Sequence, residues 1–252
     1  MKNFCELVSI ITPSYNSEKF ISKTIDSVLL QVYKHWEMII VDDCSSDNSN
    51  QIIEKYCIKD SRIKLIKLPK NQGAAIARNK AIEESNGRFI AFLDADDLWY
   101  PDKLTIQLEF MTANSLAFTY SSYDLIDEIE EPLGQFLTKE NLTYNCLLKT
   151  NSIGCLTAIY DTHKLGKLCM PVISKRQDYA LWLVILKQIN CATGIVKPLA
   201  TYRIRTKSIS SNKMTSAMYQ WKIYRNIEKI SIIKSAYYFI LYTFNGIKKY
   251  KS

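Results

Sequence analysis

Apolar residues follow two alternating spacings along the first hundred positions. Short runs at Val8–Ile11, Met38–Val41, Ile63–Ile66 and Phe89–Leu93 are rich in β-branched and aromatic side chains and predict strands. Between them, apolar positions recur at helical spacing over about 18–32, 47–57 and 73–86. Such alternation predicts βαβ units and a mostly parallel sheet flanked by helices, an α/β fold. Further on, 101–112 reads as a helix with Pro101 in its first turn, and 116–165 as short strands with a helix near 139–148. A helix over 178–189 and a strand then loop over 197–210 follow. From Lys213 the pattern is helical almost to the end, and no internal repeat interrupts it.

Composition adds little to this picture. The chain has 252 residues, 47% hydrophobic and 23% charged, the balance of a soluble globular protein with a substantial core. The seven cysteines are scattered without a Cys-x-x-Cys pair, which suggests neither a zinc site nor a disulfide framework and fits thiols in a reducing cytosol. Glu6 and Pro13 break the apolar stretch a secretory signal would need. The longest late apolar string, Tyr237–Phe244, falls well short of the roughly 18–20 residues that span a bilayer.

Charge changes the picture more. Of the net +8, the segment 213–252 alone carries +7, with eight Lys or Arg against Glu228. Nine aromatic residues share that segment. Met214, Met218, Trp221, Tyr224 and Ile227 recur there at helical spacing, with Lys213, Lys222, Arg225 and Lys229 near the other face, and Lys248, Lys249 and Lys251 follow. Basic residues beside aromatics fit a helix lying in an anionic interface; the alternative is a terminal helix packed on the core with solvated lysines.

Polar residues cluster just after the strands, where ligands bind in sheets of this type. Asp94, Asp96 and Asp97 place three carboxylates in four residues, which repel one another unless a cation or donors compensate. Hard oxygen ligands suit Mg²⁺ or Mn²⁺; a turn in which Asp caps the helix near Pro101 is the plainer reading. Asp42 and Asp43 end the second strand, and a carboxylate there can accept the imide N–H of uracil, whereas Asp47 reads as a helix N-cap. Pro13 and Tyr15 suit a base pocket or an ordinary turn. Arg78, on a helix opened by Gly73 and small residues, either meets an acid or phosphate in the crevice or is solvated.

Taken in order, the series Val8–Asn16, Val41-Asp42-Asp43, Gly73 with Ala77-Arg78-Asn79, and Asp94–Asp97 with Pro101–Leu104 resembles the family 2 glycosyltransferases, closely over 7–112 and more loosely to about 210. The resemblance implies a GT-A-type, Rossmann-like fold and inversion at the anomeric carbon. Residues 1–112 would form the nucleotide-sugar half of one domain, 113–212 the acceptor half, and 213–252 a helical tail. Thr12, Pro13 and Tyr15 would line the uridine pocket, with Asp42 and Asp43 at uracil. Arg78, Asp94 and Ala95 would lie near the ribose and diphosphate, and Asp96 would hold Mn²⁺ or Mg²⁺. The family's late acidic pair aligns with Gln177-Asp178, leaving Asp178 as the base; its plainer reading is an N-cap on the helix over 178–189, and it could fill both roles. In Tyr202–Ser210, Arg205 replaces the usual His, which favours a diphosphate contact over a second metal ligand.

The expectation is therefore a non-processive transferase moving a hexose, glucose or galactose, from UDP to a lipid-diphosphate-linked sugar or oligosaccharide in O-antigen or capsule synthesis. It would act as a peripheral protein on the inner face of the cell membrane, with no role for nucleic acid. A sugar nucleotidyltransferase would want a glycine-rich, basic loop after the first strand, which Thr12–Asn16 lacks, and an inactive membrane-binding module would not retain Asp43, Asp96 and Asp178.

Overall fold

The computed structural model describes residues 5–205 and 213–249. Its first half alternates β1 (Val8–Ser14), α1 (Ile21–Leu29), β2 (Trp36–Asp42), α2 (Ser49–Lys59), β3 (Ile63–Lys67), α3 (Ala74–Glu84) and β4 (Phe89–Phe92). The short β5 (Leu98–Trp99) and α4 (Lys103–Ala113) follow. The second half holds β6 (Phe118–Ile126), β7 (Pro132–Phe136), β8 (Asn141–Leu142), α5 (Tyr144–Lys149), a 3-10 turn at Cys155–Thr157, β9 (Ile159–Asp161) and α6 (Thr162–Leu165). It ends with α7 (Gln177–Gln188) and β10 (Ala192–Arg203), and the tail comprises α8 (Lys213–Lys222), a π-helical turn at Ile223–Ile227 and α9 (Ile232–Lys249).

One sheet runs β3-β2-β1-β4-β9-β6-β10-β5, with β7 on β6 and β8 on β10. The block β3-β2-β1-β4 is parallel, as the alternating pattern requires; β9 then pairs antiparallel with both β4 and β6. Alternate residues of the central strands serve opposite faces. Ile11, Ile39 and Val41 pack with α3, α5 and α7, while Val8, Ile10, Met38 and Ile40 pack with α1, α2 and α4. Trp182 is core, its ring 5.1 Å from Phe118 and 5.4 Å from Phe92.

Two helix starts lie one or two residues from where the side chains suggested. Asn48 takes the N-cap of α2, although Asp47 Oδ1 still accepts from the Ser49 N–H at 3.0 Å. Arg176, not Asp178, precedes α7, and Pro101 falls in the turn before α4.

The tail packs by one face. Tyr224 is fully buried and its hydroxyl donates to the Leu148 carbonyl. Tyr238 reaches Asn145 at 3.2 Å, Asn245 the Lys149 carbonyl at 3.0 Å, and Lys187 pairs with Glu228 at 2.6 Å. Met218 stays exposed although it belongs to the apolar series read from the sequence. The side chains of Lys213, Met214, Lys248 and Lys249, and the whole of Lys251, lie outside the described residues, as do Thr206–Ser210. Among the described residues no helix is long and apolar enough to cross a membrane.

Candidate active site

Parallel strands deliver their carboxyl ends to one edge, and the polar clusters meet there. At the end of β2 the two acids divide their work. Asp42 closes its own turn: Oδ2 accepts from the Ser45 N–H at 2.9 Å and from Asn50 at 3.0 Å, and Oδ1 from the Ser45 hydroxyl at 2.5 Å. Asp43 is buried and its two oxygens accept the N–H groups of Gln72 and Gly73, each at 2.7 Å. That fixes the entry to α3, where Gly73 adopts φ 90°, ψ 157°, a conformation that L side chains rarely reach. A carboxylate offers about four lone-pair sites, so Asp43 keeps acceptor capacity for a base.

Beside them, Thr12 is fully buried with its hydroxyl unpaired, Pro13 is half-buried, and Tyr15 is exposed at the mouth. Of these three, Tyr15 presents an exposed aromatic ring.

The turn after β4 is held from three directions. Thr24 of α1 donates to the carbonyls of Ala95 and Asp97, both at 3.0 Å. Asp97 is buried and accepts the Arg203 N–H at 2.9 Å; burial first, then Asp96 and Asp94, pushes its carboxyl well above the usual range. Arg203, itself buried, donates through Nε to the Asp96 carbonyl at 2.9 Å and pairs with Glu130 at 3.0 Å. Asp96 faces the crevice and pairs with Arg205 at 3.1 Å. Burial and Asp94 raise its carboxyl, against the hydrogen bond from Arg205.

Arg78 does meet an acid: its Nη2 lies 2.5 Å from Asp94 Oδ1, and its Nε is buried without a partner. Burial opposes its charge, but Asp94, through charge and hydrogen bond, and Asp178 hold it firmly protonated. Asp178, in the first turn of α7, completes this group. Burial raises its carboxyl, Arg78 and Arg176 draw it down, and Asp94 raises it again. A carboxylate held above its ordinary range beside a fixed cation suits a general base.

Ion pairs and charge interactions thus link Arg78, Asp94, Asp96, Asp178 and Arg205 at one edge of the sheet, with Ala95 between two of the acids and Asp43 at the start of the helix that carries Arg78. Sequence reasoning passed over Thr24, Arg203 and Cys155. Arg203 and Arg205 share strand parity, and only burial separates the clamp from the crevice residue. Cys155, one of seven scattered thiols, is brought in by the 3-10 turn; burial pushes its thiol well up, against the pull of Arg78.

The donor set fits a divalent cation sparingly. No group of three or more His, Cys, Asp or Glu able to hold a metal occurs among the described residues. Mg²⁺ or Mn²⁺ needs only one or two carboxylates when phosphate oxygens and water complete its shell, and Asp96 with its neighbour Asp94 meets that demand.

A family model for glycosyl transferase family 2 matches residues 9–163. TuaG of Bacillus subtilis (strain 168), a glycosyltransferase named for teichuronic acid biosynthesis, is 47% identical over 99% of each chain. An Escherichia coli protein, the UDP-Glc:alpha-D-GlcNAc-diphosphoundecaprenol beta-1,3-glucosyltransferase WfgD, is 42% identical over 97% of this chain and 95% of its own. Among solved structures, S. aureus TarS 1-349 in complex with UDP-GlcNAc has the same fold, with a TM-score of 0.73 and 24% identity over 86% of this chain and 64% of that one. With the GT-A architecture, the acid-bearing strand ends and relatives aligned along almost their whole length, this chain belongs to glycosyl transferase family 2 and is a glycosyltransferase.

Proposed function

We propose that the chain transfers glucose from UDP-glucose, with inversion and one residue at a time, to a hydroxyl of a lipid-diphosphate-linked sugar. The observation that carries the reading is Asp178 in the crevice with Arg78 and Asp94, its carboxyl raised by burial yet steadied by Arg78. Donor and acceptor classes are supported by the printed specificity of WfgD, aligned end to end with this chain. The inactive-module and nucleotidyltransferase readings lose their ground once the family is known.

In this reading Tyr15 covers the base and Asp43 accepts the uracil imide N–H. Arg78 and Arg205 meet the diphosphate. Asp178 takes the proton of the acceptor hydroxyl while that oxygen attacks the anomeric carbon from the face opposite UDP, so an α-linked donor yields a β linkage. Mn²⁺ or Mg²⁺ bound on Asp96 would supply Lewis-acid stabilisation of the departing diphosphate. Asp97, raised and buried, takes no proton in this scheme; with Arg203 it holds the turn.

The acceptor's lipid calls for a membrane, and α9 offers a surface for one. Ile233, Tyr237, Ile240 and Phe244 are 84%, 54%, 67% and 65% exposed and lie on one helical stripe, opposite the packed face. With the +7 segment around it, this stripe is the proposed interfacial contact on an anionic leaflet. The test pairs UDP-glucose and UDP-galactose with a GlcNAc-diphosphate lipid and identifies products by mass and linkage analysis. A β-linked glucosyl product supports the reading; transfer of galactose alone, or of nothing beyond hydrolysis, overturns the donor or the acceptor assignment.

A further inference from the structure

Arg176 stands two residues before Asp178 and is anchored by the tail. Its backbone is left-handed, φ 62° and ψ 26°, an uncommon state for a residue with a Cβ that must be held by its surroundings. Its carbonyl accepts the Ala180 N–H at 3.0 Å, a hydrogen bond of the first turn of α7. The direction of that turn, and so of Asp178, depends on Arg176 keeping this conformation.

What holds the side chain comes from elsewhere in the chain. Nη1 donates to Gln220 Oε1 on α8 at 2.9 Å and to the hydroxyl of Tyr242 on α9, and the guanidinium carbon lies 4.9 Å from the centre of the Tyr242 ring. Gln220 is fully buried, so this end of the clamp is fixed in the core. Arg176 Nε is buried and unpaired, which leaves Nη1 as the gripped atom. Tyr242 projects from the side of α9 opposite Ile233, Tyr237, Ile240 and Phe244, because residues two, five and nine positions before it and two after lie about half a helical turn away.

We infer that Arg176 is a positioning residue through which the tail helices set the catalytic helix: Tyr242 and Gln220 hold its guanidinium, its left-handed backbone starts α7, and its charge faces Asp178. The inference rests on Asp178 being the base. Other groups whose charge acts on Asp178 are Arg78 of α3 and Asp94 at the end of β4, and the Cys155 thiol lies within reach of the same field. Removing the Arg176 charge therefore makes the Asp178 carboxylate easier to protonate.

The experiment compares the full chain with Tyr242→Phe, Arg176→Gln, Arg176→Lys and Asp178→Asn. The probes are UDP-glucose and a water-soluble short-chain alkyl GlcNAc-diphosphate, with UDP affinity measured separately. Tyr242→Phe and Arg176→Gln should each lower kcat for transfer by about tenfold, the scale of a slightly misplaced reacting group, while UDP affinity stays within about twofold. Arg176→Gln should also move the acidic limb of the transfer pH profile to higher pH, and Arg176→Lys should return that limb towards the parent. Tyr242→Phe, which keeps the charge, should leave the limb in place. Parental kcat in both variants with an unmoved limb overturns the coupling, provided Asp178→Asn has lost transfer. Transfer surviving in Asp178→Asn overturns the base reading instead. If Arg176→Gln fails to fold, Tyr242→Phe, which removes one hydroxyl, decides the matter by the split between kcat and UDP affinity.

Discussion

Four carboxylates and four guanidiniums share the crevice and its walls: Asp94, Asp96, Asp97 and Asp178 with Arg78, Arg176, Arg203 and Arg205. Burial decides what each does. Arg203 and Asp97 are buried and serve the turn, whereas Asp96 and Arg205 are each about a quarter to a third exposed and remain available to ligand. Asp178→Asn should bind UDP as the parent does and lose transfer by about 10²–10⁴-fold, the range of general-base contributions; equal losses in both would make Asp178 structural. With Asp178 as the proposed base, transfer by the parent should fail on the acid side at a pH above the ordinary carboxylate range. The base acts when ionised, and burial raises the pH at which it ionises. In the proposed reading Arg205, which pairs with Asp96, would compete with a cation for that carboxylate. In Arg205→Ala, Mn²⁺ binding to the nucleotide-free protein, followed by electron paramagnetic resonance, should tighten by about threefold, since partly exposed pairs are worth little. UDP affinity should fall in the same variant, and Asp96→Ala should lose metal-dependent activity.

At the scale of elements, the entry to α3 is the most constrained joint of the site. Asp43 accepts two backbone N–H groups there, and Gly73 turns through a region closed to other residues. Gly73→Ala should destabilise the protein by about 1–3 kcal/mol, read as a lowered thermal midpoint, and should loosen Arg78 one turn later. Unchanged stability and unchanged UDP binding would mean that the joint relaxes freely. The parallel strands and the helices between them were legible because a strand buried on both faces needs an unbroken β-branched run, and an amphipathic helix needs its period. The helix starts were less legible. Asp47 and Asp178 are both good capping types, yet Asn48 and Arg176 hold those positions, because side-chain type gives a preference and tertiary contacts fix the register.

For the whole molecule, the tail is the part whose role changed most with the structure. A charge and aromatic count suggested an interfacial helix or a packed one, and α9 is packed on one face and apolar on the other. Deleting residues from Ser235 onward would remove Tyr238, Phe239 and Tyr242 from the core and the clamp, so it tests folding as much as membrane binding. Substituting the outer stripe avoids this. Ile233→Ser with Ile240→Ser should leave the thermal midpoint and UDP binding near the parent's. Binding to anionic vesicles should weaken, and in the parent that binding should fall steeply with salt. Salt-insensitive binding, or none by the folded parent, would remove the membrane reading.

The sequence by itself determined the strand–helix alternation and the edge of the sheet at which the acids gather, because periodicity and strand-end position are local properties. It also carried Arg205 in place of a histidine. Tertiary structure alone decided that Arg205 rests on Asp96, that Arg203 clamps the turn beside it, and that Tyr242 reaches Arg176 across 66 residues. Pairing and burial between distant segments depend on how the layers pack, and no spacing along the chain encodes which of two like residues ends inside.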